Sequence, residues 1–223
     1  MKNSNKPKES VAADIQFAVS ESYKTIRTNL QFLLNRSAGC KVIAVSSAQA
    51  QEGKTTNSVN LAISFSQLGK KVLLIDADLR RPTIAKKLKI ENTDGLSGVL
   101  AGFSTPEQSI VNINTYLSVL PSGAIPPNPS ELLASAEFEQ MLTNLKEKFD
   151  VIIIDTAPVG IVSDALSVGR LTDGVLIIVK AKSTTYSDFE KVVDSLKLAN
   201  ITLLGAVLNG SVVGEYYSHY KSM

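Results

Sequence analysis

A chain of 223 residues with 44% hydrophobic residues is long enough to bury a sizeable core without disulfides, and too apolar for extended disorder. Its 23 basic and 21 acidic residues leave a formal charge of +2, which argues against nucleic acid as a partner. The single cysteine, Cys40, has no internal disulfide partner, and the apolar runs are strand-sized, far below the roughly 20 residues of a membrane span.

The opening "MKNSNKPKES" is polar and basic with no apolar stretch behind it, unlike a signal peptide, so a reducing cytoplasmic compartment is expected. Residues 1–15 read as a flexible arm. In "SESYKTIRTNLQFLL", Tyr23, Ile26, Leu30 and Leu33 recur at helical spacing, which predicts an amphipathic helix that Ser20 can cap. Cys40, just before an apolar run, is expected to be a partly buried structural thiol.

From there, short Val- and Ile-rich runs alternate with helical stretches. The predicted strands are 42–47, 72–78, 116–120, 151–156, 175–181 and 203–209; helices are predicted over 54–68, 137–148 and 187–199. Strands apolar on both faces and separated by helices predict a three-layer α/β/α sandwich around a mostly parallel sheet. "PSGAIPPNPSELL" reads as a Pro-rich surface loop leading into a helix. One domain is expected over 16–210, followed by a flexible tail, 211–223. That tail carries Tyr216, Tyr217 and Tyr220, half of the six tyrosines, together with His219, the only histidine.

Ligands of such sheets bind at the carboxyl ends of the strands. After the first strand, "AQAQEGKTT" matches the phosphate-binding loop G-x-x-x-x-G-K-[ST], with Ala48 at the first glycine position. Gln51, Glu52, Gly53, Lys54, Thr55 and Thr56 are therefore the expected nucleotide-binding set. Lys54 reaches the phosphates, the Thr55 hydroxyl faces Mg²⁺, and Gly53 permits close backbone approach. "LLIDADLRRP" ends a strand on Asp76 and Asp78, spaced i and i+2, which puts both on one side of an extended segment. Arg80 can add charge near the phosphates, and "VIIIDTAP" ends another strand on Asp155. These carboxylates suit Mg²⁺ coordination and proton acceptance from an attacking hydroxyl. The pattern predicts Mg-nucleotide phosphohydrolase or phosphotransferase chemistry.

These three strand ends resemble the Walker A, A′ and B motifs of bacterial tyrosine kinases (BY-kinases), and more specifically the cytoplasmic kinase subunit of Gram-positive capsule and exopolysaccharide machinery. "ESYKTIRTNLQF" and "PSGAIPPNPSELL" are similar to family stretches as well, so the resemblance runs from about residue 18 to the end. It implies a P-loop NTPase fold, ATP and Mg²⁺ as cofactors, and autophosphorylation of Tyr216, Tyr217 and Tyr220, usually on a neighbouring subunit. It makes Asp76 the leading base and assigns Asp78 and Asp155 to the metal shell with Thr55. It places Asn209 where relatives contact adenine; a turn residue is the alternative there. The family's ring-forming Glu-x-x-Arg-x-x-Arg is met by Glu21, Lys24 and Arg27, with Lys in place of one Arg. A solvated helix face is the other interpretation of those three. The implied partners are a transmembrane activator of the polysaccharide-copolymerase type, copies of the chain itself in a ring (an octamer in the family), and a cognate tyrosine phosphatase. The implied location is the inner face of the cell membrane.

The main rival is a partitioning or division-site switch ATPase of the same superfamily. Those proteins usually carry a second lysine early in the phosphate loop, where this chain has Gln49. A non-catalytic nucleotide-binding partner is the third alternative.

Overall fold

The computed structural model describes residues 8–34, 39–91 and 94–211. In chain order the elements are α1 (Lys8–Leu34), β1 (Lys41–Ser47), α2 (Lys54–Ser66), β2 (Val72–Asp76), α3 (Ile84–Leu88), α4 (Leu96–Leu100) and α5 (Pro106–Ser109). There follow β3 (Val111–Asn114), β4 (Leu117–Leu120), α6 (Pro129–Leu133), α7 (Ala136–Lys146), β5 (Val151–Asp155), α8 (Asp164–Gly169), β6 (Gly174–Lys180), α9 (Tyr186–Leu198) and β7 (Leu203–Asn209).

The seven strands form one sheet in the order β3-β4-β2-β5-β1-β6-β7, parallel throughout except for β3, which runs antiparallel to β4 at the edge. Alternation along each strand divides the core in two. Val42, Ala44, Leu73, Ile75, Ile152 and Ile154 face Leu133, Phe138, Leu142, Val168, Val192 and Leu196 from α6 to α9. Ile43, Val45, Val72, Leu74 and Ile153 face Leu30, Leu34, Val59, Ala62, Phe65 and Ile84 from α1, α2 and α3. This is the expected three-layer sandwich. Local chemistry sets several boundaries: Ser135 and Thr185 accept the Phe138 and Asp188 amides at the starts of α7 and α9.

Several sequence-based expectations are corrected. The first helix begins at Lys8, inside the stretch read as an arm, and Ser20 is an exposed residue within it rather than its cap. Leu33 faces outward, and Leu34 takes the buried place because 23, 27, 30 and 34 follow the 3.6-residue period more closely. Strand β2 stops at Asp76, so Asp78 lies beyond it and strand alternation does not account for its position. Strand β3 has no counterpart in the predicted strands: four residues, exposed over most of their length, carry no burial pattern to detect. Cys40 is half-buried as expected, and burial pushes its thiol up to about 11. The tail tyrosines and His219 lie outside the described residues.

Candidate active site

The loop between β1 and α2 is held from several directions. The Ser47 hydroxyl donates to the Gln49 carbonyl at 2.6 Å, and the Gln49 amide donates to Glu52 Oε2 at 2.9 Å. The other oxygen of this buried carboxylate accepts from the Thr184 hydroxyl. Lys180 Nζ donates to the Gln51 carbonyl at 3.3 Å, and Gln51 itself sits at φ 62°. A non-glycine residue in that region is uncommon and is held there by its surroundings. Gly53 has φ 97°, and a Cβ on it would stand 2.2 Å from Asn209 Nδ2, so the residue must be glycine. Asn209, at the end of β7, donates from Nδ2 to the Glu52 carbonyl at 2.9 Å. Helix α2 then opens at Lys54 with no side-chain cap on Gly53, which leaves its first turn free to receive an anion.

Around this cradle the sheet delivers carboxylates. Strands β2 and β5 pair so that Asp76 and Asp155 are direct register partners, side by side at the carboxyl edge. Asp155 is fully buried; it accepts from Thr55 Oγ1 at 2.6 Å and from Ser58 Oγ at 2.9 Å. Burial raises it to about 6, against the pull of Thr55, Lys54 and Ser58. Asp76 is fully buried too, with Oδ2 accepting from the Thr83 and Ile84 amides at 3.2 and 3.0 Å. Its Oδ1 is buried without a hydrogen-bond partner. Burial, then the charge of Asp155, raises Asp76 to about 7, with Asp78 adding to the rise. Lys54 Nζ lies 3.8 Å from Asp78 Oδ2, and both side chains are nearly enclosed.

A cavity of about 920 Å³ opens over these groups, lined by Gln51, Gly53, Lys54, Thr55, Thr56, Asp78 and Arg80 of the expected set. Asp76, Asp155 and Glu52 are buried and Asn209 braces the loop, so the structure gathers all the expected nucleotide and metal residues into one place. Arg80 is differently employed. Its Nε donates to Asp164 Oδ2 at 2.7 Å, and its Nη2 to Asp164 Oδ1 at 3.2 Å and Ser130 Oγ at 2.8 Å. The guanidinium is thus anchored on a fully buried carboxylate. Burial alone would raise Asp164, but Arg80 and Ser130 hold it below its ordinary value. Sequence reasoning missed Asp164, Ser130, Ser58, Thr83 and Thr184. Ser58 lies inside α2 and the others are ordinary helix-start or turn residues, and none carries a spacing signal.

The expected ring motif divides. Lys24 and Glu21 form an exposed ion pair at 2.6 Å, whereas Arg27 is buried and donates from Nη1 to the Ser64 carbonyl of α2. Arg27 is therefore not part of a solvated face. Between them, the Tyr23 hydroxyl donates to Asn57 Oδ1 at 3.1 Å, and Asn57 Nδ2 donates to the Gly53 carbonyl at 2.9 Å.

The donor set fits magnesium. It consists of the Thr55 hydroxyl and the Asp78 and Asp155 carboxylates, all hard oxygen donors gathered beside the phosphate loop. Among the described residues no three His, Cys, Asp or Glu are grouped to hold a metal. A metal at this site would thus take one or two carboxylates and complete its shell from nucleotide phosphates and water, the habit of Mg²⁺. Fold and site together define a P-loop nucleotide-binding protein.

Comparison with known proteins narrows this class. A family model described as "AAA domain" matches residues 40–204. The chain is 40% identical over 204 residues to tyrosine-protein kinase YwqD of Bacillus subtilis, covering 90% of this chain and 86% of the relative. The solved kinase domain of Escherichia coli tyrosine kinase ETK superposes with a TM-score of 0.82 at 33% identity, covering 86% of this chain and 75% of that one. The Mg-ADP complex of the septum site-determining protein MinD from Pyrococcus horikoshii is more distant, with a TM-score of 0.66 at 26% identity over 82% of this chain and 77% of that one. The chain belongs to the bacterial tyrosine-protein kinase family.

Proposed function

We propose that this chain transfers the γ-phosphoryl group of ATP to protein tyrosines, among them Tyr216, Tyr217 and Tyr220 of a neighbouring copy, and through that modification regulates capsular or exopolysaccharide synthesis. The observation that carries the proposal is Asp76. It is a buried carboxyl raised to about 7, with one oxygen unpartnered, beside a phosphate loop. A proton-accepting carboxyl beside the loop suits an incoming phenol.

In this scheme the α2 amides, Gly53 and Lys54 hold the phosphates, and Lys54 offsets charge developing on the transferred group. Thr55, Asp78 and Asp155 are the residues that would hold Mg²⁺. Bound there, the ion would neutralise phosphate charge and orient the γ-phosphoryl group. The acceptor's phenolic proton passes to Asp76 Oδ1 as its oxygen bonds to phosphorus and the bond to ADP breaks. Asn209 braces the loop on the side where the resemblance puts adenine. Gln49 supports the kinase over the switch ATPase. It is uncharged, and its Nε2 is engaged at 3.0 Å by Asp188 of the same chain.

No helix among the described residues is long and apolar enough to cross a membrane, so attachment to the inner membrane face is proposed to run through a transmembrane activator. Ring assembly through Glu21 and Lys24, and a cognate phosphatase, belong to the same proposal. The test is mass spectrometry of the tail after incubation with ATP and Mg²⁺, with and without the activator's cytoplasmic segment. Phosphate on Tyr216, Tyr217 or Tyr220 that disappears in Lys54→Met is expected. ATP consumed in the presence of the activator with no tail phosphate would favour the switch ATPase.

A further inference from the structure

The large cavity extends past the phosphate loop, and its outer part has two distinct chemistries. From the segment after β2 come Arg81, Lys86 and Lys87; from the segment after β5 come Pro158, Ile161 and Val162. Asn209, on the expected adenine side, does not line it. Arg81 and Lys86 are exposed, and their side chains have no carboxylate partner among the described residues. Lys87 Nζ donates to the Thr56 hydroxyl at 3.1 Å and has no carboxylate partner among the described residues. Arg80 is already neutralised by Asp164, and Asp78, the one carboxylate in the lining, faces Lys54. The cavity therefore presents three cations beside a partly exposed apolar bank, next to the phosphate loop.

We propose that this surface selects the acceptor: a tyrosine whose ring lies on Pro158, Ile161 and Val162, and whose near neighbours in sequence are anionic and meet Arg81, Lys86 and Lys87. The inference rests on the kinase reading and names its substrate class. A carboxylate and a phosphotyrosine satisfy the same cations, the latter adding about −1.5 to −2 charges. The chain's own tail fits: Glu215 directly precedes Tyr216 and Tyr217. A phosphate placed on one tail tyrosine would then promote modification of the next.

The test uses the full-length protein and two peptides spanning residues 210–223, one natural and one with Glu215→Gln. The wild type is expected to favour the natural peptide by about two- to fivefold in kcat/KM at low salt, as one exposed carboxylate among these cations allows. The double variant Arg81→Gln/Lys86→Gln is expected to lose that preference while its KM for ATP stays within about twofold. Equal use of the two peptides by the wild type, a preference that survives in the variant, or a raised KM for ATP would each overturn the proposal. Binding of the same peptides with Phe at every tyrosine, read by fluorescence anisotropy, separates the two levels. Charge-dependent binding without phosphate transfer defeats the kinase reading and leaves the groove standing. Transfer without charge-dependent binding defeats the groove alone.

Discussion

Replacing Asp76 with Asn should inactivate the protein and stabilise it. The carboxyl is raised to about 7 in the folded chain, first by burial and then by Asp155, against an ordinary value near 3.8. The folded state therefore binds its proton more tightly than the unfolded state does. Stability contributed by the protonated form is complete below about pH 4, declines as pH rises towards 7, and is lost above it. A difference of about three pKa units corresponds to a ceiling of about 4 kcal/mol at pH 8. Asn keeps an oxygen for the Thr83 and Ile84 amides and removes the charge beside Asp155. In the nucleotide-free protein, Tm at pH 8 should rise by roughly 5–15 °C, with a change of no more than about 2 °C near pH 4. Tyrosine phosphorylation should fall at least about 100-fold, and the wild-type rate should increase with pH through about 7. Calorimetry at the two pH values and a phosphotyrosine assay read both effects. A Tm at pH 8 that is unchanged or lowered would refute the buried-charge argument, and retained kinase activity would refute the base.

Tyr23→Phe keeps the ring and removes the hydroxyl that bridges Asn57 and Asn60, so stability should drop by about 1 kcal/mol. Because Asn57 holds the Gly53 carbonyl, KM for ATP should rise a few-fold with kcat little changed; an unaltered KM would uncouple α1 from the phosphate loop. Arg80→Ala leaves Asp164 buried without its cation and should cost about 2–3 kcal/mol, somewhat less than breaking a fully buried pair, because the arginine side chain is 41% exposed. That loss should shrink as pH falls and Asp164 protonates, which denaturant titrations at neutral and acidic pH would show.

Much of the site was legible because P-loop chemistry is local. Gly53, Lys54 and Thr55 are consecutive, a strand precedes them and a helix follows, so spacing alone locates the cradle. The aspartates were legible as strand ends, since an apolar run that stops on Asp marks the functional edge of a parallel sheet. Partnerships were not. Nothing in "LLIDADLRRP" tells that Arg80 reaches Asp164, 84 positions away. Nothing in "ESYKTIR" tells that its arginine turns inward to Ser64 while its lysine stays outside.

By itself the sequence determined the class of fold, the phosphate loop and the identity of the acidic strand ends, because hydrophobic period and turn chemistry act over a few neighbouring residues. The tertiary structure decided the strand order, the register that sets Asp76 beside Asp155, and the burial that lifts the former to about 7. It also decided which cations are already spent on a partner and which remain at the cavity mouth. Those properties depend on desolvation and on distances between residues far apart in the chain, and they exist only once the chain has closed around them.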